Sequence, residues 1–371
     1  MAKAKALVVG GTGPTGPYLV AGLRERGYDV TIFHRGTHEI PEIPHDVAHI
    51  HGDPHFPETI EAAIGGTTWD LAVVTYGRVR HLAEALVGRV GRFVSVGGFP
   101  IYKGYWDPFE LSPPGMIVPV PEEGTVAGPD DNRFSNLIRV TEEAVLTAHP
   151  AAAHFRYPYV YGPHQVEPKE WSIVRRVLDR RPFMLVADGG HALVSRGFAA
   201  NLAHAVLLAV DKPERSAGQV YNCADETQYT VRQWIQLVAE SLGAELPTIS
   251  LPYELAAHAD PLLLEGRGFH RLLDLHKLRD DLGYHDVVDV REGVRVTAEW
   301  LVANRPEPGG LLEQAIADRF DYAAEDRLVE AYRAAVEPLQ ALAPQRPEGG
   351  YAPHAYAHPK QADQTRDHRQ R

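Results

Sequence analysis

Over the first 150 residues, short apolar runs alternate with amphipathic stretches. Ala6–Val9, Val30–Phe33, Ala48–Ile50, Leu71–Val74 and Phe93–Val96 have the length and continuous hydrophobicity of strands buried on both faces. Between them, Tyr18–Arg26, Pro57–Ile64 and Val79–Val87 place apolar residues at helical spacing. Leu19, Val20 and Leu23 share one face, as do Leu82, Ala85 and Leu86. Alternation at this spacing predicts a doubly wound α/β fold, a parallel sheet with helices on both faces.

The pattern continues less regularly. Asn136–Ala148 is a predicted helix, Phe155–Val160 a strand, Asn201–Val210 an apolar helix and Gln219–Cys223 a further strand. Thr230–Leu242 opens with a Thr-x-x-Gln capping box at Thr230 and Gln233 and ends at Gly243. Val290–Asn304 is the last well-formed helix of the core, stopped by Pro306. The domain reading is 1–160 for a nucleotide-binding domain, 161–305 mainly for a smaller substrate domain with segments returning to the first, and 306–342 for a helical appendage. Residues 343–371 contain no Ile, Leu, Val, Met, Phe or Trp and are predicted to be a disordered tail.

Composition narrows the function. The 371 residues carry a formal charge of −12, which disfavours phosphate backbones as partners, so no nucleic-acid role is expected. A single cysteine, Cys223, cannot close an intrachain disulfide or build a cysteine metal site, which fits a reducing cytoplasm. No secretory signal is read at the N-terminus, and no apolar run approaches the roughly 20 residues that cross a bilayer. An enzyme or ligand-binding module acting on a small molecule is expected.

Gly10-Gly11-Thr12-Gly13-Pro14-Thr15-Gly16 lies between the first strand and the first helix, with glycines at Gly-x-x-Gly-x-x-Gly spacing. Such a loop lets the backbone approach a pyrophosphate while the helix N-terminus supplies amides and a positive dipole. The second strand should end beside the adenosine ribose, where a carboxylate favours NAD. Here His34 and Arg35 stand there, and a guanidinium can pair with a 2′-phosphate, so NADP(H) is favoured over NAD(H). Asp53 either accepts from the adenine amino group or is a plain turn residue, and Thr75 follows the fourth strand at the cofactor's edge.

With these residues in view, the chain resembles the extended short-chain dehydrogenase/reductases, the NAD-dependent epimerase/dehydratase family. The resemblance runs from about Ala4 to Asn304. It rests on the glycine loop, on Arg156-Tyr157-Pro158-Tyr159-Val160-Tyr161-Gly162-Pro163, on Gly218–Asn222, and on Glu292-Gly293 with Thr297-Ala298-Glu299-Trp300-Leu301. It implies a Rossmann domain, a smaller C-terminal substrate domain and a cleft between them, with Tyr157 and Pro158 against the cofactor. It also implies a catalytic Ser, Tyr and Lys, and these are missing. Matching the segments puts Gly98 at the Ser position, Phe134 at the Tyr position and Ile138 at the Lys position.

Substitute groups are few. Tyr159 replaces the family's Asn and either donates a proton or walls the pocket. Tyr102 is a second candidate donor at the pocket rim. Arg196 either clamps an anionic substrate group or is an ordinary solvated arginine. The Pro/Gly/aromatic segment 103–133, with Tyr105, Trp106 and Phe109, is read as an apolar lid, with Trp106 against a bulky substrate. The 19 histidines include His34 and His38 about a turn, the alternating pair His49/His51 and the tail pair His354/His358. With no His-Glu-x-x-His and no cysteine partner, no metal site is expected. Homodimer pairing is expected through Leu82, Leu86, Leu137 and Val145. The favoured function is an atypical NADP(H)-dependent ketoreductase. The alternatives are a redox-neutral epimerase or isomerase with relocated acid–base groups, and a non-catalytic nucleotide-binding protein.

Overall fold

The apolar runs of the first half become the strands of one sheet. The computed structural model describes residues 3–256, 262 and 268–344. In chain order its first elements are β1 (Lys5–Val9), α1 (Gly16–Glu25), β2 (Asp29–His34), β3 (Ala48–His51), α2 (Pro57–Ile64), β4 (Trp69–Val74), α3 (Val79–Ala85), β5 (Val90–Gly98), α4 (Arg133–Ala148) and β6 (Ala153–Tyr157). There follow β7 (Tyr159–Tyr161), α5 (Trp171–Leu178), β8 (Met184–Ala187), β9 (Arg196–Phe198), α6 (Ala199–Asp211), α7 (Pro213–Ser216), β10 (Val220–Asn222), α8 (Val231–Ser241), β11 (Thr248–Leu251), α9 (Tyr253–Ala256), α10 (His276–Leu282), α11 (Val290–Ala303), α12 (Leu311–Ala315) and α13 (Tyr322–Leu342).

Among the described residues a seven-stranded sheet runs in the order β10-β6-β5-β4-β1-β2-β3, with every pairing parallel. Successive side chains alternate between its faces. Ala6, Val8, Ile32 and Val73 pack with Leu19 and Leu23 of α1 and Leu202 and Val206 of α6. Leu7, Val9, Phe33, Ala72 and Val74 pack on the other side with Ile60 of α2 and Leu82 of α3. Burial on both faces is why these strands read as unbroken apolar runs. Strand order reverses between β1 and β4, and the crevice at the carboxyl ends of such neighbours is where this architecture receives ligands.

A second core gathers Tyr161, Phe198, Val174, Trp234 and Val294 beside two short parallel pairs, β7 with β9 and β8 with β11. The predicted strand Phe155–Val160 is split at Pro158. Proline has no N–H for a ladder, and the chain leaves the large sheet there: β6 pairs with β5, and β7 pairs with β9. The capping box at Thr230 and Gln233 is formed.

Three expectations change. Segment 103–133 is a packed wall and not a lid. Tyr105 and Val120 are buried with Phe99, Ile101 and Leu273, and backbone bonds tie Val120 to Leu272 and Ala127 to Ile101. The appendage begins later than 306. Glu313 accepts from Trp171 Nε1 at 2.8 Å and Arg175 Nη1 at 2.6 Å, and Arg176 pairs with Asp318. The chain through Asp321 thus belongs to one unit; α13 lies in a second and is a single helix with Pro338 inside it. Of the residues offered for dimer pairing, Leu82, Leu86 and Val145 are buried in the core and Leu137 is exposed, because the apolar helix faces dock on the sheet. Residues 345–371, most of the expected tail, lie outside the described residues. Among the described residues no helix is long and apolar enough to cross a membrane.

Candidate functional site

The glycines after β1 do three different jobs. Gly10 turns the chain at φ +93°, in the left-handed region that a side chain disfavours, and a Cβ there would sit 2.6 Å from Thr75 Oγ1. Gly16 lets α1 start against the loop: a Cβ would lie 2.0 Å from the Gly11 carbonyl oxygen. Gly13 is different. A Cβ there would meet the Gly10 oxygen at 3.4 Å and nothing else within 4 Å. Packing does not require glycine at this position, and the space beside it is the cleft. Thr15, the N-cap, makes no side-chain cap hydrogen bond, so the positive end of α1 faces the cleft uncapped.

That cleft has a volume of about 740 Å³, within the range of small-molecule sites. Gly10, Thr12, Gly13, Pro14, Thr15, His34, Arg35, Thr75 and Tyr157, all offered by the sequence for the cofactor, line it together. Gly16 lies behind it in the turn, and Pro158 sits at the break between β6 and β7. Arg35 is exposed at the far rim with its guanidinium 5.9 Å from the Tyr76 ring centre. His34 is buried at the end of β2, and burial lowers its pKa against the opposing pull of Glu39. Asp53 is not in the lining. Its Oδ1 accepts from the His55 backbone N–H at 3.0 Å and lies 2.7 Å from His55 Nδ1, which makes it a turn residue.

The candidate catalytic groups are placed otherwise than expected. Strand alternation sends Val160 to the cleft and turns Tyr159 and Tyr161 toward the second core. The Tyr159 hydroxyl accepts from Lys169 N–H at 2.7 Å and donates to the Glu167 carbonyl at 2.7 Å, with Glu170 Oε2 at 3.2 Å. Burial, reinforced by Glu170, holds its pKa well above that of an ordinary phenol. Tyr159 therefore neither lines the cleft nor points its hydroxyl into it; the phenol is tied into the turn at Glu167–Glu170. Tyr102 is buried too. Its hydroxyl accepts from Arg156 Nη1 at 2.6 Å, with Asn222 Oδ1 at 2.7 Å and the Pro121 carbonyl at 3.0 Å, and burial pushes its pKa up to about 12. Arg196 is not solvated; it is buried over the Trp234 ring at 4.7 Å and donates to the Val194 carbonyl at 3.2 Å.

Gly98 ends β5 opposite Tyr157 of β6, so its position adjoins the cleft. A Cβ on Gly98 would be 3.6 Å from Ile138 Cδ1. One helical turn earlier, Phe134 is 55 % exposed and makes an edge-to-face contact with Trp106 at 6.0 Å. The three positions that the resemblance assigns to acid–base chemistry therefore form, with Trp106, one apolar and aromatic surface. Beneath it Arg156 forks onto Glu142 at 2.9 and 2.7 Å, buried, and ties α4 to β6. Ser95 Oγ lies 2.8 Å from His154 Nδ1 in the same layer, but both are fully buried and no substrate reaches them.

No model of a protein family matches the chain. It is 29 % identical over 170 residues to the uncharacterized protein y4nL of Sinorhizobium fredii, covering 40 % of this chain and 47 % of that one. It is 25 % identical over 192 residues to the uncharacterized protein YbjS of Escherichia coli K12, covering 46 % and 57 %. The chain thus spans about half the length of the curated relatives it matches. Among solved structures it is similar to UDP-glucose 4-epimerase of Thermotoga maritima with UDP-glucose (TM-score 0.65, 17 % identity, 81 % of this chain and 100 % of that one). It is also similar to WbmG of Bordetella bronchiseptica in complex with NAD (0.64, 15 %, 81 % and 95 %). A third is dTDP-glucose 4,6-dehydratase of Bacillus anthracis in complex with NAD (0.62, 15 %, 81 % and 97 %). The chain has the epimerase/dehydratase fold.

On that fold the cleft has a rim the sequence does not disclose. Val166, Trp300, Leu311 and Leu312 line it from the far side, and Leu311 is 84 % exposed. The anchor that brings Leu311 and Leu312 there is Glu313 of α12, held by Trp171 and Arg175 of α5 more than a hundred residues away in sequence, and no local pattern announces such a contact. His164 also lines the cleft, and its Nε2 lies 3.0 Å from Glu42 Oε1 of the β2–β3 loop.

Proposed function

We propose that this chain binds NADP(H) in the cleft and reduces an activated carbonyl on an apolar, aromatic or polyketide-like substrate. One observation carries the reading: a cleft with the loop, the helix end and the arginine suited to a phosphorylated dinucleotide adjoins a surface whose three expected acid–base positions are glycine, phenylalanine and isoleucine. The fit to the dinucleotide rests on Gly13, where the backbone is open to approach, and on the apolar rim of Val166, Leu311 and Leu312, which a ligand would cover. Gly10 to Thr15 and the start of α1 would hold the pyrophosphate, Arg35 the 2′-phosphate, and Thr75 and Tyr157 the end nearer the chemistry.

When bound, the nicotinamide would supply the hydride. The chain's part is to hold the carbonyl against it: the Phe134–Trp106–Ile138 surface positions an apolar substrate, and proximity of this kind is itself a large catalytic term. The proton comes from water or a substrate hydroxyl. Epimerisation and dehydration by transient oxidation need a base to take an alcohol proton, and the expected positions offer none. A second reading, a redox-neutral epimerase, is favoured by the likeness in fold to UDP-glucose 4-epimerase and requires a base elsewhere.

The test is consumption of NADPH and NADH with a carbonyl panel, alongside interconversion of UDP-glucose and UDP-galactose. NADPH consumption with an aromatic ketone supports the reductase. Sugar interconversion without net NADPH use replaces it with the second reading, and neither activity moves the function to nucleotide binding alone. Arg35→Ala is expected to weaken NADPH, but not NADH, by roughly 10- to 100-fold, the equivalent of one charge-assisted phosphate contact of about 1.5–3 kcal/mol. Equal affinities for the two cofactors in the unaltered chain would remove the NADP(H) assignment.

A further inference from the structure

Away from the acid–base positions, His34 comes together with two histidines to which the sequence gives no role, His49 and His51. β2 and β3 pair in parallel with His34 opposite His51 and Ile32 opposite His49. Paired residues point to the same face, and His49 and His51 are two apart on one strand, so the register alone puts all three imidazoles on one side of the sheet edge. The loop from β2 to β3 then carries Glu39 back over them. His34 Nε2 is 3.0 Å from His49 Nδ1 and 3.4 Å from Glu39 Oε1. Glu39 is also 3.3 Å from His49 Nδ1, through Oε2, and 3.5 Å from His51 Nε2, through Oε1. The potential ligand atoms of the four residues all lie within 4.8 Å of one another.

We propose that His34, Glu39, His49 and His51 form a binding site for a divalent transition metal, zinc in the first instance. Zinc takes four nitrogen and oxygen donors at about 2.0–2.1 Å in a tetrahedron, whose edges are then about 3.3–3.4 Å. The separations of 3.0, 3.3, 3.4 and 3.5 Å straddle that edge. The His34–His49 pair at 3.0 Å is an ordinary hydrogen-bond separation, but the three Glu39 distances are not: charge-assisted N–H···O bonds close to about 2.7–2.9 Å, and the half-exposed Glu39 carboxylate stands at 3.3–3.5 Å between three histidines without closing on any of them. Three imidazoles and one carboxylate make a borderline-soft set suited to zinc and unsuited to magnesium or calcium.

Burial gives the site an inside and an outside. The His34 and His49 side chains are 5 % and 20 % exposed, while those of Glu39 and His51 are 52 % and 59 % exposed, so an ion enters from the solvent side onto two fixed nitrogens. A cavity of about 440 Å³ bordered by Glu39, His49 and His51 lies beside them and supplies the path. A bound ion would tie edge strand β3 and the loop to β2. The same stretch carries Arg35 and His38 into the dinucleotide cleft, but the metal site stands without that cleft's assignment.

The experiment uses the full chain, stripped with a chelator, titrated calorimetrically with zinc chloride and spectroscopically with cobalt chloride. One high-affinity equivalent is expected, with the intense visible bands of four-coordinate cobalt. His51→Ala, at the most exposed of the four positions, and His49→Ala should each weaken zinc by more than roughly a hundredfold, since even the outer partners of a ligand cost 10–100-fold, with the circular dichroism unchanged. A chain altered at both His354 and His358 should bind as before. Wild-type affinity in the His49→Ala/His51→Ala double variant overturns the proposal. So do the weak bands of six-coordinate cobalt, and so does loss of the high-affinity equivalent only when His354 and His358 are replaced.

Discussion

Tyr159→Phe separates a structural phenol from a catalytic one. The substitution keeps the ring and deletes an oxygen that accepts from Lys169 N–H and donates to the Glu167 carbonyl, both at 2.7 Å. It also removes the contact at 3.2 Å to Glu170, a buried carboxyl whose Oε1 accepts from Trp234 Nε1 at 3.1 Å. Two protein hydrogen bonds at a net value near 1 kcal/mol each put the loss of stability at about 1–3 kcal/mol. At roughly 2–4 °C per kcal/mol for a chain of this class, Tm should fall by a few degrees. A positioned general acid contributes about 10²–10⁴-fold, so an acid would show a kcat loss of that size; a phenol that only ties the turn is expected to cost less than about threefold. The assay is a thermal melt together with single-turnover reduction of the best substrate under saturating NADPH. Unchanged Tm with kcat down a hundredfold would refute the reasoning, because the hydroxyl would then be serving the reaction and not the turn at Glu167–Glu170.

Other outcomes follow from the same geometry. Gly13→Ala should leave stability within about 0.5 kcal/mol and weaken NADPH at least tenfold in calorimetry, whereas Gly16→Ala, whose Cβ would lie 2.0 Å from the Gly11 oxygen, should cost more than about 3 kcal/mol or fail to fold; a Gly13→Ala protein that binds NADPH like the parent removes the loop from the site. Glu142→Gln strands the buried Arg156 guanidinium and should cost about 3–5 kcal/mol in denaturant melts, with a loss below 1 kcal/mol contradicting the role of the fork. Burial raises the Asp225 pKa from 3.8 to about 7, so its stabilisation is fully present below pH 3.8 and is lost as pH rises through 7; burial lowers that of His154 from 6.5 to about 4, so its stabilisation is present above pH 6.5 and is lost as pH falls toward 4. At about 1.4 kcal/mol per unit the two nearly cancel between pH 4 and 7, and Asp225→Asn should uncover a fall of up to about 3 kcal/mol on acidification across that window; a variant whose melts do not change there means that His154 is not held neutral.

What the sequence discloses and what it hides divide along a physical line. Periodicity and the glycine spacing are local, and β1 to β6, α1 and the lining from Gly10 to Thr15 follow from them. Side-chain direction in a short strand is not local. Tyr159 and Val160 are adjacent, and only the pairing of β7 with β9 decides which one meets the cleft. Asp53 is held by His55 two residues on, a contact that a turn motif could have suggested. The apolar face of α3 looks like an interface until the sheet it covers is in place, which puts Leu82 and Leu86 inside. The meeting of His34, His49 and His51 depends on strand register, which spacing within one strand cannot supply. Leu311 and Leu312 depend on Glu313 reaching α5.

On the proposed reductase reading, the surface of Gly98, Phe134 and Ile138 serves positioning, and that needs a rigid support. Here the Arg156–Glu142 fork, the Tyr102 hydroxyl and Asn222 join α4, β6 and β10, with bonds of 2.6 to 2.9 Å among those four side chains, and Arg156 and Asn222 reach the Glu122 and Val120 carbonyls of segment 103–133 at 2.8 and 2.9 Å. That layer fixes the position of Ile138 on α4 and of Tyr102, from whose segment Trp106 rises to meet Phe134. A rigid apolar wall is useless to a proton relay and well suited to holding an apolar substrate in one pose, since a misplacement of about 1 Å at a reacting centre can cost on the order of a hundredfold in rate. On the proposed reading this scaffold serves positioning, with the proton left to solvent or substrate.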